Sequence, residues 1–245
     1  MQLILGMILC NIPGVLLLIY TCRQAGKEAI PAKIPAILIV VGILLMIPVV
    51  ALQTAVGALG NLQFLKSHPF FSEIIMTAVR LAFVEELCKF LGTMAVTWKG
   101  KYFTKPRQAV LIPAILSLAF GIIENVMFMM LSFTSLQSQF WIIVLTRAFI
   151  GAPGHGAYGI IMGRSYWKAK EESLRGNAGE AFRFCCLAVL IPGCIHGLYD
   201  WLASSQFVRI GNTNIVTAIM VVLDLIVIVL TYRFLFKSGK AEKVR

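Results

Sequence analysis

The sequence predicts an all-α polytopic membrane protein, and three observations carry that reading. The chain of 245 residues is 59% hydrophobic and only 13% charged, a balance far from that of a water-soluble domain. Its apolar residues gather into long runs at about 1–20, 34–59, 73–98, 108–133, 140–163, 184–203 and 215–236. Each run is close to the roughly 20 residues that an α-helix needs to cross the hydrocarbon core. The basic residues, which give a formal net charge of +11, cluster in alternate connections, near 23–33, 99–107 and 164–183 and after 233. By the positive-inside rule this sets seven helices with the N-terminus outside and the C-terminus cytoplasmic. The whole of 1–245 then forms a single transmembrane domain.

The same charge distribution argues against a nucleic-acid partner, because the excess marks topology and contact with anionic lipid of the bilayer. The first run has no charged leading region and no small-residue cleavage site, so it is expected to be a retained helix. Six cysteines show no C-x-x-C pairing and are expected to be buried thiols, neither disulfides nor zinc ligands.

Helices one and two carry no constellation of chemical groups; Gln53 is the one large polar residue of the second, and packing suffices for both. The third run holds FVEELCKFLG, where an unpaired charge at mid-membrane depth costs about 2.5–3.5 kcal/mol. Glu85 and Lys89 share a face at i, i+4 and are expected to pair, while Glu86 points roughly 100° away around the helix. Helix four carries Glu124 at a similar depth, with Phe120 one turn before it and Gly121 leaving room for close helix approach.

In helix five, Gly151, His155, Gly159 and Gly163 recur every fourth residue, so the histidine stands in a groove where another helix approaches closely. Pro153 is expected to kink that helix, and Arg147 to act as a counter-charge for the acids. The stretch RSYWKAKEESLRGNAGEAFR reads as a cytoplasmic connector with a short surface helix. Helix six places His196 and Asp200 one above the other at i, i+4, so the carboxylate can orient the imidazole. Asp224 on helix seven is assigned a pairing with Arg80 or Arg147.

Collected, helices within about 73–203 supply Glu85, Glu86, Glu124, His155, His196 and Asp200. Carboxylates and histidines of this kind can activate a water molecule and stabilise a developing oxyanion. Two histidines and a carboxylate can equally hold a divalent metal such as zinc, with Glu124, His155 and His196 as the ligand set. Both routes lead to hydrolysis. No H-E-x-x-H pair, G-x-S-x-G turn or paired-aspartate context occurs, which sets aside zincin, serine and aspartyl intramembrane enzymes. A proton-coupled membrane transporter is the rival class for buried carboxylates, although no internal repeat or pair of broken helices is evident.

Four segments in order, EELCK (85–89), FGIIEN (120–125), GHGAYG (154–159) and HGLYD (196–200), resemble the PrsW family of bacterial intramembrane proteases. That family is similar to the CPBP group, which includes CAAX-type prenyl endopeptidases. The resemblance covers roughly 80–203, and helices one, two and seven add nothing to it. It implies that Glu85 and Glu86 match the family's essential glutamate pair, and that Lys89, His155 and His196 match its basic residue and its histidines. Glu124 stands where the prenyl enzymes have a histidine and Asp200 where they have an asparagine, departures that favour the PrsW branch. The resemblance further implies a bacterial plasma-membrane peptidase. Its substrate would be a single-span membrane protein, typically an anti-sigma factor cut near its outer side in a stress response. A metal mechanism and a glutamate–histidine mechanism both remain compatible with it, and either glutamate of the pair can be the base.

Overall fold

The computed structural model describes residues 1–100, 104–133, 139–204 and 215–241; Lys101, Arg209 and the basic residues after 241 lie outside them. Among the described residues there is no strand. Four helical stretches, Gln2–Lys27, Lys33–Asn61, Pro106–Ser132 and Ala178–Ser204, are long and apolar enough to cross a membrane. The other three apolar runs also fall on helical structure, 73–98 and 140–163 on several successive helical segments and 215–236 within one helix.

Exposure is inverted relative to a water-soluble protein. Ile47, Leu131 and Ile142 are each more than 60% exposed, whereas Glu86 and Lys89 are completely buried. A lipid-facing surface explains the first group, and the second must find its partners inside the helix bundle.

The elements are α1 (Gln2–Lys27), α2 (Lys33–Leu44), α3 (Met46–Gly57), the short α4 (Gln63–Ser67) and α5 (Pro69–Ile74), α6 (Val84–Thr97), α7 (Pro106–Ser132), α8 (Phe140–Thr146), α9 (Ala152–Leu174), α10 (Ala178–Ser204) and α11 (Ile215–Ala241). The break at Leu45 between α2 and α3 has a local cause. Pro48 has no N–H to offer the Leu44 carbonyl one turn earlier. The segment 62–74 gathers Phe64, His68, Phe70 and Phe71, with His68 stacked on Phe64 at 4.3 Å and Phe70 edge-on to Trp201 at 5.8 Å. Exposed aromatics of this kind suit a membrane interface.

Two π-helical stretches, Ile75–Phe83 and Arg147–Gly151, lead directly into α6 and α9. Pro153 therefore accompanies a break, with Gly151 at ψ −97° as the residue before α9. The run 73–98, expected to be one continuous helix, is instead divided by the first π stretch, and nothing in its composition signals this.

The centre of the bundle is α7, buried along most of its length and packed most extensively against α9. The glycine stripe makes this possible. A Cβ at Gly159 would lie 2.6 Å from the Pro113 carbonyl oxygen, and one at Gly121 would lie 2.8 Å from Ala152 Cα. With these glycines on both helices the backbones meet, and the crossing sets His155 against the Glu124 turn of α7. On the other flank α10 packs against α9 and against the stretch Ile75–Phe83, with Gly193 facing the Phe83 ring.

At the ends of α1, α6 and α9 and the start of α7 lies a second polar group. Arg107 Nε lies 2.9 Å from Glu28 Oε1, and Gln108 Nε2 donates to the Glu28 carbonyl at 2.8 Å. Lys170 donates to the Trp98 carbonyl at 2.5 Å, placing a cation at the C-terminal end of α6. The charged connector between helices five and six is helical nearly throughout, with one tight turn at Gly176 (φ +81°). There Asn177 and Arg175 donate to Glu172 and pull that partly buried carboxyl below its ordinary range.

Candidate active site

Helix α6 presents its two glutamates to different surroundings. Glu86 Oε1 accepts from Lys89 Nζ at 2.7 Å and lies 3.1 Å from His196 Nδ1. Glu85 Oε1 accepts from Gln53 Nε2 at 3.1 Å, and its other oxygen is 3.8 Å from Lys89. Lys89 therefore keeps the ion pair expected with Glu85 at 3.8 Å and adds a closer, hydrogen-bonded one with Glu86. Both residues are within its reach at i, i+3 and i, i+4, and tertiary contacts decide which is closer. Lys89 Nζ also lies 2.7 Å from His155 Nδ1 and 4.6 Å from the Phe120 ring centre.

An ammonium donates and never accepts, so His155 Nδ1 is the acceptor and its Nε2–H donates to Glu124 Oε2, a very short contact. The opposite oxygen of Glu124 is 3.0 Å from Arg147 Nη2, the counter-charge expected from the sequence. Arg147 Nε donates to Asn125 Oδ1 at 2.7 Å, and Asn125 Nδ2 reaches the Cys10 carbonyl and Asn11 Oδ1, each at 3.2 Å. Helix α1, which the sequence left out of the polar network, thus anchors it from behind.

On α10, His196 Nε2 lies 3.5 Å from Asp200 Oδ2, one turn on. A neutral imidazole donates from only one nitrogen, while His196 has a carboxylate near each. Its ring is 5.1 Å from the His155 ring and perpendicular to it, and is stacked on Tyr158 at 4.8 Å. The six residues singled out from sequence therefore lie in one connected cluster. A cavity of about 370 Å³ opens on it, lined by Glu85, Glu124, His155, His196 and Asp200. Glu86 and Lys89 stand behind that wall. Met46, Val49 and Val50 of α3 and Phe128 and Leu131 of α7 form the apolar side of the cavity.

The family model for the PrsW family intramembrane metalloprotease matches residues 30–231. The chain belongs to the PrsW family. It is accordingly an intramembrane protease, a peptidase housed in an integral membrane protein. The chain is 26% identical over 191 residues to Protease PrsW of Geobacillus kaustophilus, covering 78% of this chain and 76% of the relative. It is 30% identical over 138 residues to Protease PrsW of Clostridioides difficile (56% of each chain) and 27% identical over 189 residues to that of Oceanobacillus iheyensis (76% of each). No solved structure matches. The PrsW match extends beyond the four motif segments and takes in α2, α3 and part of α11.

A metalloprotease implies a metal, and the donor set here fits one. Glu85, His155 and His196 each offer a ligand atom, all within 4.8 Å of one another. Glu85 Oε2 is buried with no hydrogen-bond partner among the described residues. Two imidazoles and a carboxylate match a divalent ion of intermediate softness. Glu124, grouped with both histidines in the sequence reading, is bonded to His155, and Glu85 is the carboxylate that converges with both.

Sequence reasoning missed three participants. Gln53, whose amide holds Glu85, had a visible signal as the one large polar residue in an apolar helix. Asn125 stood beside Glu124 and went unassigned. Asp224 pairs with neither arginine: Arg80 donates to the Gln53 carbonyl at 2.9 Å, and Asp224 accepts from Tyr158 at 2.8 Å.

Proposed function

We propose that this PrsW-family protease hydrolyses a peptide bond of a single-span membrane protein near its outer side, with Glu85 as the general base. The observation that carries the proposal is that Glu85, and not Glu86, lines the cavity, in reach of both histidines. Gln53 fixes one oxygen of Glu85, and the other has no hydrogen-bond partner among the described residues. The carboxylate takes a proton from water as the hydroxyl adds to the scissile carbonyl carbon, then returns it to the leaving nitrogen as the C–N bond breaks. His155 and His196 face the developing oxyanion, with Glu124 and Asp200 orienting their rings. Glu86 bonds Lys89 and His196 and so holds both in register from behind.

In a metal route Glu85, His155 and His196 would instead hold the ion, each histidine exchanging one of its present partners for it and Glu85 acting as a ligand and not as the base; zinc is the ion best matched to that set. When bound, it would polarise the carbonyl and acidify the attacking water. The apolar wall from α3 and α7 suits an unwound transmembrane segment. An anti-sigma factor in the plasma membrane of a bacterial cell is the substrate class that the family resemblance supports. Seven spans, an outside N-terminus, a cytoplasmic C-terminus and one domain belong to the same reading, as does the wider kinship with the CPBP group.

The test is cleavage of a co-reconstituted single-span substrate in liposomes. The wild type should cut it and His196→Ala should not, with both proteins inserted. Loss with a chelator and recovery with zinc would support the metal route, and cleavage by His196→Ala would end the proposal. Solute or proton flux without any cleavage would favour the transporter reading.

A further inference from the structure

Helix α11 contributes one acid to the interior, Asp224, only 3% exposed and distant in sequence from every motif segment. Its Oδ1 accepts from the Tyr158 hydroxyl at 2.8 Å. Its Oδ2 is buried with no hydrogen-bond partner among the described residues. A carboxylate held at membrane depth by a single neutral donor is costly, and packing alone would be served by any apolar residue.

Tyr158 supplies the link to the chemistry. It follows His155 by one turn of α9 and lines the cavity. Its ring lies nearly parallel to His196, 22° between planes at 4.8 Å, and nearly perpendicular to His155, at 6.1 Å. A tyrosine anchored at its hydroxyl cannot swing about χ1 without breaking that bond, so the anchor fixes where the ring lies against the imidazole it covers. We propose that Asp224 is a positioning residue: by holding the Tyr158 hydroxyl it fixes the ring that sets the plane of His196. That plane decides whether the two His196 nitrogens stay aligned with Glu86 and Asp200. Asp224 itself touches neither histidine and no reacting atom. The inference rests on the proposed role of His196 in peptide hydrolysis.

The test combines steady-state cleavage with histidine-selective nitrogen NMR in detergent, using Glu85→Gln as the inactive reference. Asp224→Ala and Tyr158→Phe should each lower kcat by about 10–100-fold, the usual effect of losing a residue that orients an active-site ligand, with KM unchanged. Asp224→Asn keeps an acceptor oxygen and should retain most of the activity. The double variant Tyr158→Phe/Asp224→Ala should be no worse than either single change, because both cut one connection. In the spectra, Asp224→Ala and Tyr158→Phe should move the His196 ring signals, assigned with His196→Gln, and leave the exposed His68 in place.

Effects that multiply in the double variant would overturn the inference. So would an Asp224→Asn variant as damaged as Asp224→Ala, a loss confined to the melting temperature, or unmoved His196 signals. A wild type that cleaves no single-span substrate would defeat the functional reading, while the ring signals would still decide on the connection itself. An active wild type, a dead Glu85→Gln and an unaffected Asp224→Ala would sink the inference alone.

Discussion

Glu85 and Glu86 are consecutive residues of α6, yet the two faces they occupy are built on opposite principles. The face of Glu86 is closed: the carboxylate and Lys89 are fully buried, and His155, His196 and the Phe120 ring complete their contacts. The face of Glu85 is open to a cavity, with one side-chain hydrogen bond from Gln53 and its other oxygen 3.8 Å from Lys89. Each carboxylate keeps one oxygen without a hydrogen-bond partner among the described residues, so the two differ in access to the cavity, and a buried ion pair such as Glu86–Lys89 is expensive to break. A group with spare hydrogen-bonding capacity beside water is the one able to accept a proton. The difference teaches that adjacency in an E-E motif does not mean shared work.

Three substitutions sharpen the contrast. The largest effect is expected at Lys89. Lys89→Met strands Glu86 in the bundle and should cost about 3–5 kcal/mol of stability, read as a marked fall in melting temperature in detergent. Asp200→Asn, on the open face, should leave melting unchanged and lower kcat about 10–100-fold by loosening His196. Gln53→Leu should have the smallest effect, about 0.5–1.5 kcal/mol for one hydrogen bond, seen as a modest loss of cleavage with an intact fold. Equal melting losses at Lys89 and Asp200 would erase the distinction between the faces.

Much of this was legible in the sequence because a membrane makes polar residues conspicuous. Glu124, His155 and His196 stand out in apolar runs, and the four-residue glycine spacing marked a close helix contact, which in the structure is with α7 and unites the first two. The Lys89–Glu85 pair was legible at i, i+4, but one helix permits both pairings of Lys89, and the closer one with Glu86 goes with the contact to His155 on another helix. The roles of Gln53 and Asp224 were hidden for a related reason: the side chain of each bonds to a residue on a helix distant in sequence. The π stretches before α6 and α9 leave almost no compositional trace, apart from Pro153, yet they set the rotation at which Glu85 and His155 enter the site.

The central claim is that Glu85 performs chemistry while Glu86 holds structure, and the most direct measurement pairs cleavage with melting for Glu85→Gln and Glu86→Gln in the same membrane preparation. The account predicts that Glu85→Gln loses about 10²–10⁴-fold in kcat at an unchanged melting temperature, and that Glu86→Gln loses activity together with a substantial fall in melting. A Glu85→Gln enzyme that still cleaves, or a Glu86→Gln enzyme that is inactive but as stable as the wild type, would contradict it.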